Sequence, residues 1–364
     1  MIRISDIYKL DESKKYINDA IDSNWLSFTG KYVSDCEDKL KKIFNVKHVL
    51  LTNNGTSATH CIIKSIKFKY PECNKIYIQN NCYVAPYNMC LLEFDETQIE
   101  ILPIDKDTWN LDLNYIENIE KNAALLIVHN IGNILPIQQI KEKRPDIIII
   151  EDNCEGFMGS YHNKMSGTEC LSSAISFFSN KTITCGEGGA FITNDTDIYN
   201  KMVKFTRQGI SKQRYIHDMF AYNYRLNNVQ ASILYSQLNL LDEILEIKKT
   251  LYNEYATLLS KYTDKISLQK INENTTHSYW LFGIKILKNI QYEDVKEFFT
   301  LHNIEIRPFF YDFRKHTHLK NIKTIDTLQH SNIILLPLHP NITKTNIHYI
   351  VSIIEKYLKT IFIS

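Results

Sequence analysis

The stretch Ser176-Phe177-Phe178-Ser179-Asn180-Lys181 runs from a strand-like apolar segment into a lysine. Gly186-Glu187-Gly188-Gly189 follows, and then a second strand-like segment from Ala190 to Thr193. A primary amine held between two strands can condense with an aldehyde and can carry a proton between the two carbons of an imine's C–N–C unit. A lysine in a turn is ordinarily a solvated surface residue. Here the glycines permit close backbone approach, and Ser176 offers a hydroxyl two residues before the expected strand end.

Two other segments add complementary chemistry. Asn53-Asn54-Gly55-Thr56-Ser57 lies between a strand and a helix. Gly55 allows a tight turn, and the N–H groups and hydroxyls of Thr56 and Ser57 at a helix start can cradle a phosphate. The same residue types also serve as plain helix caps. The pair Glu151-Asp152 follows the apolar run Ile147 to Ile150, which puts Asp152 at the carboxyl edge of a parallel sheet where α/β proteins bind ligands. It can pair with a cationic ring nitrogen or simply cap a turn. Together the lysine, the acid and the cradle match what pyridoxal 5'-phosphate requires: an amine for its aldehyde, a partner for its pyridinium nitrogen and a phosphate seat. In that role Lys181 is also the general base.

These residues need an α/β frame. Strand candidates are Val49 to Leu51, Ile76 to Ile78, Ile99 to Leu102, Ala124 to Val128, Ile147 to Ile150 and Ala174 to Phe178. Their continuous hydrophobicity predicts strands covered on both faces of a mostly parallel sheet, with helices such as the one carrying Ala58, Ile62, Ile63 and Ile66 between them. From Val229 to about Tyr262 the spacing predicts one long helix. Beyond it the pattern predicts a strand over His277 to Ile286, a helix over Tyr292 to Leu301, a strand at Ile304 to Ile306 and a helix over Asn346 to Ile361. The organisation read from this is a large unit over 1–235 and a smaller α/β unit over 236–364, joined by the long helix.

Composition excludes several classes. The chain has 364 residues, 44% hydrophobic and 23% charged, with a formal charge of +1, so no basic excess points to nucleic acid. No apolar run is long enough to cross a membrane, and the polar N-terminus lacks a signal-peptide pattern, which predicts a cytoplasmic protein. The eight cysteines form no CxxC pair and have no histidines at zinc spacing, so free thiols are expected and no metal site. Neither GxGxxG after a strand nor GxxxxGK[ST] is present.

In order along the chain, Asn54-Gly55-Thr56-Ser57, Tyr83-Val84-Ala85, Val128-His129, Glu151-Asp152-Asn153-Cys154-Glu155, Asn180-Lys181 with Gly186-Glu187-Gly188-Gly189, Tyr222-Asn223-Tyr224-Arg225 and Arg307-Pro308-Phe309-Phe310 resemble the motifs of the DegT/DnrJ/EryC1/StrS family of sugar aminotransferases. The segment Ser176 to Gly189 is most similar to its perosamine and viosamine synthase branch. The resemblance implies the type I fold of pyridoxal-phosphate aminotransferases and transfer of an amino group from L-glutamate, leaving 2-oxoglutarate, to C4 of a nucleotide-linked 4-keto-6-deoxyhexose. It implies phosphate contacts from Gly55, Thr56, Ser57 and Ser176, ring stacking by Tyr83, and Asp152 at the ring nitrogen. Glu155 would lie near the ring oxygen and Lys181 would carry the cofactor. Asn223 would reach the phosphate of a neighbouring subunit, so a homodimer with shared sites is implied. Trp25, Ser27, Thr29, Glu187, Arg307 and Phe309 match positions near the sugar nucleotide. Ser179 and Ala221 depart from glycines usual in the family. Alternatives are a C3 keto sugar aminotransferase and a non-catalytic sensor of the same fold; the retained Lys181 speaks for transamination.

Overall fold

The computed structural model describes residues 1–326 and 332–362. Its main sheet is built from β1 (His48–Thr52), β2 (Ile76–Gln79), β3 (Ile99–Leu102), β4 (Ala124–Val128), β5 (Ile148–Asp152), β8 (Ser173–Ser176) and β9 (Gly189–Thr193), with the late strand β14 (Lys323–Thr324). The strand order is β1-β9-β8-β5-β4-β2-β3-β14. Neighbours from β8 to β14 pair in parallel, while β9 runs antiparallel to both β1 and β8.

Both faces are buried, which is why the strands read as unbroken apolar runs rather than alternating ones. On one face Ile78, Leu126, Ile150 and Phe191 pack with Ile62, Ile63 and Ile66 of α3 (Gly55–Lys69). On the other, Tyr77, Leu125, Ile127 and Ile149 pack with Leu135, Ile137 and Ile140. Helices α1 (Lys14–Asp22), α2 (Lys31–Phe44), α4 (Val84–Glu93), α5 (Ile137–Lys143) and α6 (Thr196–Thr206) complete these layers. Short pairs β6 (Ser160–Tyr161) and β7 (Lys164–Met165) form a small sheet with β11 (Thr275–Thr276).

The expected long helix is two: α7 (Asn228–Asn239) and α8 (Leu241–Leu259), broken at Leu240. The reason lies in what each half packs on. Helix α7 lies against α1 and α2, whereas α8 pairs with α10 (Lys344–Phe362). Asp242 and Glu243 then fall in the first turn of α8, where negative charge suits the helix dipole.

A second sheet, β10-β12-β15-β13, is antiparallel throughout. It comprises β10 (Ile266–Leu268), β12 (Phe282–Ile286), β13 (Arg307–Pro308) and β15 (Ile333–Leu336), and packs on α8, α9 (Tyr292–Leu301) and α10 through Tyr255, Phe282, Phe299, Ile347 and Ile354. Two expectations change here. The strand expected from His277 begins only at Phe282, because the residues before it bond elsewhere: Ser278 N–H donates to Gly132 O (2.9 Å) and its hydroxyl to Glu155 O (2.5 Å). The strand expected at Ile304 to Ile306 is instead a bridge to the N-terminus. Ile2 N–H donates to Asn303 O (2.7 Å), and Glu305 N–H donates to Ile2 O (2.9 Å).

Candidate active site

A cavity of about 580 Å³ opens where the carboxyl ends of β5 and β8 meet the start of α3 and the loop carrying Trp280. Lining it are Gly55, Thr56, Tyr83, Asp152, Glu155, Ser176, Lys181, Glu187, Arg307 and Phe309. Ten residues singled out in the sequence therefore share one cavity. Trp25, Ser27, Thr29, Ser57 and Asn223 do not line it.

The start of α3 is shaped by its cap. Asn54 Oδ1 accepts from Ser57 N–H (2.8 Å), which leaves the Gly55 and Thr56 N–H groups at the positive end of the helix without an intrahelical acceptor. Gly55 is the first helical residue rather than part of a tight turn before the helix. Its value is closeness: a Cβ there would lie 2.6 Å from Ser176 Cβ, so only glycine lets α3 close on the end of β8. Ser176 is the last residue of that strand, which stops short of the expected Phe178. Ser57 is buried.

Asp152 is the last residue of β5 rather than the residue after it. Its carboxylate accepts from Cys154 N–H (3.1 Å) at Oδ1, and Oδ2 lies 3.0 Å from the Thr59 hydroxyl. That hydroxyl is equally close to Gly55 O, so one proton serves both. Thr59 was missed in the sequence, although it stands one helical turn after Gly55 and so shares its face.

Glu155 is buried, and its Oε2 accepts from Ile131 N–H (2.8 Å). Burial pushes its carboxyl up to about 7, with Lys181 pulling in the other direction. Lys181 sits in the turn after β8, its N–H donating to Phe178 O (2.9 Å). Its Nζ is 4.1 Å from the ring centre of Trp280, a residue that no sequence signal marked.

Tyr83 is 58% exposed, so it is not a core aromatic. His129 turns away from the cavity into a buried pair: its Nδ1 accepts from Leu135 N–H (3.2 Å), so Nε2 donates to Glu151 (2.8 Å). Asn223 is exposed and accepts from Arg225 Nε (2.7 Å). Arg225 and Arg207 both stack on Phe28. The Trp25 to Thr29 segment is tied to α7 by Asn228, whose Nδ2 donates to Trp25 O (2.7 Å). All eight cysteines are free, six of them buried. Among the described residues, no helix is long and apolar enough to cross a membrane.

The model of the DegT/DnrJ/EryC1/StrS aminotransferase family matches residues 8–355. A GDP-perosamine synthase of Escherichia coli O157:H7 is 30% identical over 305 residues, 82% of each chain. Its counterpart from Vibrio cholerae is 32% identical over 308 residues, again 82% of each. Among solved structures, E. coli GDP-4-keto-6-deoxy-D-mannose-3-dehydratase with bound hydrated PLP matches with a TM-score of 0.88 at 22% identity, covering 97% of this chain and 99% of that one. That likeness is one of fold.

Proposed function

Because the chain belongs to the DegT/DnrJ/EryC1/StrS aminotransferase family, we propose that it uses pyridoxal 5'-phosphate to move an amino group from L-glutamate to C4 of a nucleotide-linked 4-keto-6-deoxyhexose. The product is a 4-amino-4,6-dideoxy sugar nucleotide of the perosamine or viosamine kind. The observation that carries this reading is the convergence of Lys181, Asp152 and the start of α3 on one cavity. The relatives named GDP-perosamine synthase support C4 and a GDP-linked sugar.

The residues present fit the cofactor. The α3 N-terminus at Gly55 and Thr56, with the Ser176 hydroxyl, suits a phosphate dianion; Ser57 enters through the Asn54 cap that shapes this turn. Asp152 is 4% exposed and aligned by two donors, as an acid meeting a ring nitrogen should be. When bound, the cofactor supplies an aldehyde carbon and an electron-accepting ring. Asp152 would keep the ring nitrogen protonated. Lys181 Nζ would hold the aldehyde carbon as an imine until the donor's amine displaces it, and the freed amine would then carry a proton from the carbon bearing the amino group to the aldehyde carbon on the other side of the shared nitrogen. Tyr83, lining the same cavity, would stack on the ring, and Glu155 would meet the ring oxygen.

Glu187, Arg307 and Phe309, with Trp25, Ser27 and Thr29, are proposed to receive the sugar nucleotide. Asn223 lies outside its own chain's cavity, which supports a homodimer in which it completes the partner's site. The separate four-stranded sheet supports a cofactor-binding unit over 1–235 and a smaller unit over 236–364, with β14 returning to the first. A cytoplasmic setting suits these substrates.

The test is a panel of GDP-, UDP- and dTDP-linked 3-keto and 4-keto sugars offered with glutamate, products read by mass and by NMR of the aminated carbon. The expected product carries nitrogen at C4 of a 6-deoxy sugar. Nitrogen at C3, or no transfer to any member, overturns the assignment.

A further inference from the structure

Trp280 is held at three points. Its Nε1–H donates to Asn180 O (2.9 Å), the residue before Lys181. Its backbone carbonyl accepts from the buried Lys248 Nζ (3.1 Å), which also donates to Leu338 O (2.7 Å). The ring itself, 5% exposed, packs among Ile4, Trp109, Ile131 and Phe309. It cannot swing away, and its face stands against the Lys181 amine at 4.1 Å.

An indole face attracts an ammonium through its quadrupole, most strongly where water is excluded. In an amino-transfer cycle the lysine amine is free during the half in which the cofactor carries the amino group, and it must then stay near the reacting carbon. We propose that Trp280 is the seat of the released Lys181 ammonium, a positioning residue fixed by Asn180 and Lys248. This rests on Lys181 being the cofactor lysine. Other groups face the same amine. Asp152 at the end of β5, Glu155 beyond it and Glu187 on the glycine turn favour its charge; Arg307 across the cavity opposes it, as His316 does when protonated, and Cys154 lies beside it. The ring adds to this field without adding a charge of its own, so removing it alters the amine and leaves the carboxylates in place.

The experiment uses the holoenzyme converted by glutamate to its amine-loaded form, in which Lys181 is free. Lys181 is titrated by the pH dependence of its acylation with an amine reagent, read on its peptide by mass spectrometry. Trp280→Leu and Trp280→Met remove the aromatic face; Trp280→Phe keeps a weaker one. The two aliphatic variants are expected to lower the Lys181 titration midpoint by about one unit, a change of about 1.4 kcal/mol, with Phe in between. If one aliphatic variant fails to fold, the other decides. A midpoint equal to wild type in every folded variant overturns the seat. Acylation of wild-type Lys181 is expected to be blocked in the aldehyde-loaded form. Equal acylation in both cofactor forms would instead sink Lys181 as the cofactor lysine, so the two failures are told apart.

Discussion

Lys181 and Lys248 both touch Trp280, one at the ring and one at the carbonyl, yet their surroundings differ sharply. Lys181 reaches a cavity that also holds three carboxylates and the start of a helix. Lys248 is buried on α8, with two backbone carbonyls as its acceptors. Burial alone drives Lys248 down to about 7. A strongly displaced titration is often taken as a sign of function. Here the displaced lysine is the structural one, because its displacement comes from lost water rather than from a reacting partner. Chemical competence follows access: Lys181 can be reached by a substrate, and Lys248 cannot.

The largest test of this contrast is to replace each lysine in turn. Lys181→Ala is expected to lose the yellow colour of bound cofactor and to reduce amino transfer by about 10⁴-fold or more, the upper range for a lost general base. Lys248→Met is expected to keep the colour. Colour retained in the first and lost in the second would reverse the comparison.

A smaller effect concerns stability. Between about 7 and its ordinary value of 10.5, Lys248 is neutral when folded and protonated when unfolded. The unfolded chain binds more protons in that window, so stability rises with pH. The rise expected from this group is a few kcal/mol, on the order of 1.4 kcal/mol per unit. Urea unfolding at pH 7 and pH 9.5 should show it in wild type and show a flatter profile in Lys248→Met.

The smallest effect has the opposite sign. Glu155, raised from 4.5 to about 7 by burial, binds its proton more tightly when folded. Its stabilisation is complete below about 4.5 and is lost as pH rises through about 7. Glu155→Gln should remove that decline from the urea midpoints of the cofactor-free protein between pH 5 and pH 7. An unchanged slope would mean that Lys181 already holds the carboxylate charged.

The strands of the main sheet could be read from the sequence because burial on both faces leaves a continuous apolar signature. Lys181, Asp152, Gly55, Thr56 and Ser176 could be read because their residue types are costly to explain otherwise in that order. Trp280 could not. It sits in an apolar run that looks like a strand, and only the left-handed backbone at Tyr279 (φ 56°) takes the chain out of that pattern just before it. The break at Leu240 was equally silent, since Asn239-Leu240-Leu241-Asp242 contains no glycine or proline and the apolar spacing runs straight through it. What ends the helix there is tertiary packing, which outweighs local preference. The run Ile304 to Ile306 has strand character, but its partner is the opposite end of the chain, a pairing that no local pattern encodes.

That pairing and the late edge strand have a consequence for how the molecule is made. β14 closes the open side of β3, and Ile2 waits for Ile304. As the chain leaves the ribosome, the β3 edge is bare until residue 324 has emerged. Exposed sheet edges invite pairing with other chains, and long nascent chains are most at risk at this stage. Two early-made edges thus wait for late residues, and a nascent chain stalled before residue 304 would carry both seams open.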